Sequence, residues 1–191
     1  MKNKYFYSKI LLFGEYGIIK NSSGLSIPFK KFNGTLKLND KPNAKVEASN
    51  LEIQKFFEYI KANTNDLGRF NLQSLKEDIS NGLYFDSDIP KGFGVGSSGA
   101  LVAAIYDKYC DSDTDDLYEL KKTFSTMESY FHGNSSGLDP LVSFFNNPIF
   151  ISEGVVELLA DIKFLNYKIY LIDSKYSSNT KEMIELFNNK M

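Results

Sequence analysis

The segment Pro90-Lys91-Gly92-Phe93-Gly94-Val95-Gly96-Ser97-Ser98-Gly99 constrains this chain more than any other stretch. Glycines at alternate positions are followed by two hydroxyls. The chain then runs straight into Ala100-Leu101-Val102-Ala103-Ala104-Ile105-Tyr106, which is apolar on nearly every side. A run of that kind is a helix buried all round, so the loop opens a helix in the interior. With no side chain at 92, 94 and 96, the backbone can adopt positive φ and approach a bulky anion closely. Successive N–H groups can then line a concave anion nest, and the helix N-terminus adds partial positive charge. Ser97 and Ser98 can donate to phosphate oxygens or place a hydroxyl on Mg²⁺. A glycine-rich turn without a ligand needs neither three spaced glycines nor a serine pair. The phosphate-binding residues read from the segment are therefore Gly92, Gly94, Val95, Gly96, Ser97, Ser98 and Gly99. The loop is not a Walker A, since no lysine follows its last glycine. Nor does a strand-loop-helix-strand unit with a terminal acid follow, as a dinucleotide fingerprint requires.

The rest of the chain fits a globular protein of 191 residues, one large domain or one domain and part of another. Apolar residues make up 42%, with 16 Phe and 12 Tyr, enough to fill a core. A net charge of −2 argues against a nucleic-acid partner, which calls for a basic stripe. The doublets Lys30-Lys31 and Lys121-Lys122 are isolated and read as solvated faces. The single cysteine, Cys110, excludes an internal disulfide and suits a reducing cytoplasm. The apolar run Ile10-Leu11-Leu12-Phe13 stops at Gly14-Glu15, too short for the core of a secretion signal. No stretch approaches the roughly 20 apolar residues that span a bilayer. The expectation is a soluble, cytoplasmic protein with no membrane partner.

Pattern and punctuation predict strands over 5–13, 25–29 and 148–152, with an edge hairpin over 34–49 around Pro42. Leu51, Ile53, Phe56, Phe57 and Ile60 have the spacing of an amphipathic helix over 51–63. Residues 70–85 read as further strand and connection. A second helix is expected over 113–131, capped by Asp113 or Thr114. Residues 132–140 read as a polar, glycine-punctuated turn, and apolar packing resumes over 141–145. The least structured connection, 153–164, marks a domain boundary. Another strand over 168–173 and a helix over 180–187 follow. There is no internal repeat and no low-complexity tract.

On residues alone, Asp139 is an acid before a proline in a turn, Lys9 a lysine ahead of an apolar strand and Glu128 a solvated helix acid. Three segments in order change that reading. Residues 90–100 match P-x-G-x-G-x-G-S-S-[AG]-A, the loop of the galactokinase, homoserine kinase, mevalonate kinase and phosphomevalonate kinase (GHMP) superfamily. Lys9-Ile10-Leu11-Leu12-Phe13-Gly14-Glu15-Tyr16 resembles its first motif, K-x-x-L-x-G-E-H in mevalonate kinases. His132-Gly133-Asn134-Ser135-Ser136-Gly137-Leu138-Asp139 resembles H-G-x-P-S-G-x-D, the segment most typical of mevalonate kinases.

The resemblance implies an α+β fold. Residues 1–153 would be an ATP-binding domain like the second domain of ribosomal protein S5, with a left-handed β-α-β unit. Residues 154–191 would begin a ferredoxin-like second domain. It implies an ATP-dependent kinase that phosphorylates the hydroxyl of a small molecule, mevalonate first among candidates, in isoprenoid-precursor synthesis. Asp139 would deprotonate or orient that hydroxyl, and Lys9 beside it would stabilise the developing charge. Glu128, eleven positions before Asp139, would hold Mg²⁺ together with Ser97 or Ser98. Glu15, Tyr16 and Ser136 would line the substrate pocket. His132, the single histidine, is assigned a structural hydrogen bond and no proton transfer.

Two residues depart from the mevalonate kinase pattern: Tyr16 stands in place of histidine, and Ser178 in place of an arginine before Asn179-Thr180-Lys181. Serine cannot grip a carboxylate bidentately as arginine does. The family's third motif, a late glycine-rich loop, is missing before Met191, so the second domain is expected to be truncated. Association with a second copy, or with a missing C-terminal half, is expected to cover the apolar surface this leaves. The other readings are phosphomevalonate kinase, another sugar or amino-alcohol kinase of the superfamily, and a non-catalytic nucleotide-binding module.

Overall fold

The computed structural model describes residues 4–15, 17–20, 22–39, 41, 43–67, 69–111, 114, 116–159, 170, 172 and 180–190. Tyr16, Asp113, Ser178 and Asn179, and the strand expected over 168–173 apart from Tyr170 and Ile172, lie outside them. Among the described residues the strands form one five-stranded antiparallel sheet, in the order β1-β2-β4-β5 with β3 also paired to β2. The fold is mixed α and β.

Strand β1 (Phe6–Phe13) lies antiparallel to β2 (Gly24–Leu38), which runs four residues beyond the Phe6–Gly34 pair. Between the pairs Tyr7–Asn33 and Ser8–Phe29 the register shifts. The residues left over at the shift, 30–32, belong to β2, while in β1 both Ser8 and Lys9 are buried in succession. Ser8 satisfies its hydroxyl on the Phe29 carbonyl at 2.7 Å. Lys9 is turned toward the helices.

The hairpin expected over 34–49 is not formed. Residues 34–38 continue β2 and pair with β3 (Leu83–Ser87), and helix α1 (Ala44–Ala62) begins six residues after β2 ends. Asn43 caps α1 by accepting from the Val46 N–H at 3.1 Å, and Val46 is the first buried helical residue. A weak alternation with one buried position is equally compatible with a helix start, and the cap decides it. The stretch 70–85 is likewise corrected. After a short helix α2 (Thr64–Leu67), Asn71 caps helix α3 (Leu72–Ser80), whose Leu75 and Ile79 are buried one turn apart, before β3 begins.

Helix α4 (Ser97–Tyr109) is the central helix, with Gly99 through Tyr106 all buried. Helix α5 (Leu117–His132) is capped by Asp116, which accepts from the Tyr118 N–H at 2.8 Å. Thr114 instead accepts from the Asp116 N–H and sits outside the helix. Helix α6 (Leu138–Phe145) occupies what was expected as the end of a polar turn, so Asp139 lies in the first turn of a helix. Tyr106 of α4, Phe124 of α5 and Phe144 of α6 meet edge-on, with ring centroids 4.9 to 5.6 Å apart. That trio ties the three helices together. Beyond α6, β4 (Ile149–Ser152) turns at Glu153 and Gly154 into β5 (Val155–Leu158), so the connection expected from 153 starts as a strand. A final helix α7 spans Thr180–Lys190. Among the described residues no helix is long and apolar enough to cross a membrane.

Candidate active site

The N-terminal ends of α4 and α6, the C-terminal end of α5 and the middle of β1 converge on one cleft of about 1180 Å³. Its lining includes the whole loop from Pro90 to Ser98. Gly92, Gly94 and Gly96 have φ of +81°, +68° and +80°, the left-handed backbone that the alternate glycines predicted. Residues 91–94 are exposed, while the Val95 side chain is buried in the core. The Val95 carbonyl accepts the Lys9 N–H at 3.0 Å, which fastens the loop to β1. Val95 thus anchors the loop from behind. At Gly96, a Cβ would lie 2.7 Å from Cγ of Lys9, so only glycine lets the loop lie against the lysine stem. The first-turn N–H groups of α4 open into the cleft, where a helix has no internal partners for them.

Gly99 also packs one helix against another. A Cβ there would sit 2.8 Å from the Asp139 backbone carbon and side chain, so Gly99 is where α4 and α6 touch. That contact carries Asp139 to the mouth of the glycine loop.

Lys9 Nζ lies 3.0 Å from Oδ1 of Asp139, with the lysine side chain 9% exposed and the aspartate 28%. Burial works to lower the pKa of Lys9. The Asp139 carboxylate, through charge and hydrogen bond, outweighs it with help from Glu15 and Glu128, and the net result is a raised value. The ion pair thus favours the charged form of Lys9. Asp139, in the first turn of α6, also lies at the positive end of that helix.

Glu128 is buried on α5. The Ser98 hydroxyl donates to its Oε1 at 3.2 Å and the Ser135 hydroxyl donates to its Oε2. Burial, followed by the nearby Asp139 charge, raises the Glu128 pKa well above the usual carboxylate range, against the pull of Ser135, Lys9 and Ser98. Ser98 Oγ is also 2.9 Å from Nε2 of His132. Ser98 has one proton to give, so when it goes to Glu128 the imidazole must donate from Nε2 to Ser98. Burial lowers the pKa of His132, with Lys9 adding to the effect and Asp139 opposing it. The histidine is thus hydrogen-bonded to Ser98 at the end of α5.

Ser98 Oγ and Glu128 Oε1 make a pair of hard oxygen donors beside the loop, the donor chemistry Mg²⁺ takes when phosphate and water supply its other ligands. A buried carboxylate beside a second carboxylate is also a place where a cation relieves repulsion. Among the described residues no group of three or more His, Cys, Asp or Glu side chains is placed to hold a metal ion by itself. Of the two serines considered, Ser98 is the one bonded to Glu128; Ser97 lines the cleft beside it.

Glu15 and Ser136 are both exposed on the cleft lining, and Tyr16 lies outside the described residues. Sequence reasoning missed two parts of the site. Lys91 of the loop reaches Glu52 of α1 at 2.7 Å, bridging the cleft's far wall, although Glu52 reads as an ordinary exposed helix acid. Ser135 falls in the stretch that reads as a polar turn, and its hydroxyl meets Glu128 only because α5 and the 133–137 turn lie side by side.

Comparison with known proteins places this arrangement in a class. Residues 53–147 match the family described as GHMP kinases N terminal domain, a span that holds the glycine-serine loop, Glu128 and Asp139. Over those residues the chain is similar to that family. Its relatives include the mevalonate kinase of Pyrococcus abyssi (strain GE5 / Orsay), 26% identical over 205 residues, covering 96% of this chain and 60% of that protein. The crystal structure of the Methanococcus jannaschii mevalonate kinase is 16% identical with a TM-score of 0.51, covering 84% of this chain and 56% of that one. A second mevalonate kinase crystal structure, also 16% identical, gives a TM-score of 0.52 with the same coverage. These structures share the fold with this chain. The chain spans 60% of the length of the curated relative.

Proposed function

We propose that the chain is the ATP-binding part of a phosphotransferase that moves the γ-phosphate of Mg-ATP to an alcohol, with mevalonate the leading substrate and isoprenoid-precursor synthesis in the cytoplasm its setting. The observation that carries this reading is the 3.0 Å Lys9–Asp139 pair at the mouth of a positive-φ glycine loop. A cation and a carboxylate held against a phosphate cradle are the parts phosphoryl transfer needs, since that reaction depends on positioning and charge neutralisation. In this reading residues up to the end of β5 form a domain like the second domain of ribosomal protein S5, with a left-handed crossover. The residues beyond β5 begin a ferredoxin-like domain; β5 completes the sheet of the first domain, so the boundary lies past 158 rather than at 153.

Each residue then has a physical task. The N–H groups of the 92–99 loop and of the first turn of α4 hold the phosphates. Ser98 and Glu128 hold Mg²⁺, and that ion, when bound, supplies charge neutralisation at the phosphate oxygens. Asp139 accepts a hydrogen bond from the substrate hydroxyl and takes its proton as the oxygen attacks. Lys9 fixes the Asp139 carboxylate by their ion pair and presents a cation to the charge that develops on the transferring group. Glu15 and Ser136 line the substrate end of the cleft.

The test is a coupled assay of ADP release with Mg-ATP and a panel of mevalonate, phosphomevalonate, homoserine and galactose. Turnover with mevalonate and not with the others is the expected result. Turnover with none of the four, in a chain that also binds no Mg-ATP, would overturn the proposal.

A further inference from the structure

Ser135 sits at the crossing of three hydrogen bonds that have no part in the mechanism above. Its hydroxyl donates to Oε2 of Glu128 and accepts the Gly137 N–H at 3.1 Å, and its carbonyl accepts the Ser125 hydroxyl at 2.5 Å. Ser125 and Glu128 are both on α5, and Gly137 is the residue from which α6 starts. The space beneath is closed: a Cβ on Gly137 would lie 2.3 Å from the Lys121 carbonyl and 2.7 Å from the Ser125 nitrogen. The turn therefore cannot slide along α5, and the Ser135 hydroxyl is delivered to one place. In the pattern H-G-x-P-S-G-x-D this position is a proline, which has no hydroxyl to donate, so the bond belongs to this chain's own sequence.

A carboxylate that is to hold a cation needs one oxygen aimed at the ion and the other held, because rotation about its last bond would otherwise swing both. Ser98 faces Oε1, on the loop side, and Ser135 grips Oε2, on the turn side. We infer that Ser135 is a positioning residue for Glu128, fixing the rotation of the carboxylate so that Oε1 points with Ser98 toward a divalent cation carried by the nucleotide. The inference rests on the proposed reading of the site as a Mg-nucleotide site. It also makes the turn between α5 and α6 a coupling element: the same three bonds that aim Glu128 set the start of α6, two residues before Asp139.

The experiment measures binding of the non-hydrolysable adenosine 5′-(β,γ-imido)triphosphate, with and without Mg²⁺, to the wild-type chain and to Ser135→Ala, Ser135→Thr and Ser135→Pro, by calorimetry. Loss of a residue that orients a metal ligand typically costs about 10- to 100-fold in metal affinity. Ser135→Ala and Ser135→Pro should weaken the Mg²⁺ complex by about that factor and leave metal-free nucleotide binding unchanged, and Ser135→Thr should keep the wild-type pattern. A role in folding alone would weaken both forms together or show only as a lower melting temperature, and that result would overturn the inference. So would a folded Ala variant that binds the Mg²⁺ complex as the wild type does. Should Ala fail to fold, the Thr and Pro variants carry the same comparison, and equal Mg²⁺ binding by those two would overturn it. A wild-type chain that binds no nucleotide in either form would bring down the reading of the site itself, and this inference with it.

Discussion

Lys9 would be a surface residue by its charge, yet it is buried on β1 against Asp139. Its partner Asp139 is brought from the other side of the fold by α6. Replacing Asp139 with Asn keeps size and helix position but removes the charge and the proton acceptor. General-base assistance typically contributes about 10²- to 10⁴-fold, so kcat should fall by that order while Mg-ATP affinity stays nearly unchanged. Steady-state kinetics alongside direct binding separates the two; a variant within about twofold of wild type in kcat would reduce Asp139 to a helix-start residue. Glu128 gives a prediction with a sign. Its folded pKa is raised above the ordinary 4.5, so over the interval between the two values the folded chain holds a proton that the unfolded chain has lost. Stability must then fall as pH rises through that interval. Glu128→Gln removes the cost. The variant should be more stable than wild type toward neutral and alkaline pH and should converge with it in acid, read as melting temperature across pH without nucleotide. A variant less stable at neutral pH than at acid pH, relative to wild type, would contradict the burial argument.

The elements that carry the site are the ones whose ends were hardest to place. The loop and the buried helix behind it were plain in the sequence, because spaced glycines and an unbroken apolar run admit few structures. The start of α6 was not, because Leu138-Asp139-Pro140 reads as a turn until Gly137 is seen in left-handed backbone, packed on α5. Gly99 was legible as a glycine of the loop but not as the contact between α4 and α6, since that depends on a residue forty positions away. A methyl group at Gly99 would meet backbone that cannot give way cheaply. Gly99→Ala should cost about 1–3 kcal/mol of stability, as overpacking does, and should displace Asp139 enough to lower kcat as well. Chemical denaturation with a kinetic measurement checks both, and an Ala variant matching wild type in each would mean the two helices have slack. Gly96→Val meets both the Lys9 stem and a positive φ. It should weaken nucleotide binding severely, and unchanged affinity in a folded variant would remove the loop from the account.

At the scale of the molecule, the order β1-β2-β4-β5 was beyond reach of local pattern, because β2 pairs with β1 before it and with β4 more than a hundred residues later. Period and punctuation mark where strands are, while their neighbours are set by tertiary packing. The three motifs were legible because they are short and local, and the fold's work is to gather them: β1, the 90–99 loop and the α5–α6 turn meet in one cleft. The central claim is that this cleft moves a phosphoryl group from Mg-ATP to a small alcohol. The most direct measurement is ³¹P NMR of the chain incubated with Mg-ATP and mevalonate. The γ-phosphate signal should decline while a phosphate-ester signal grows, and Asp139→Asn should slow both. An unchanged ATP spectrum, or growth of inorganic phosphate alone, would contradict it.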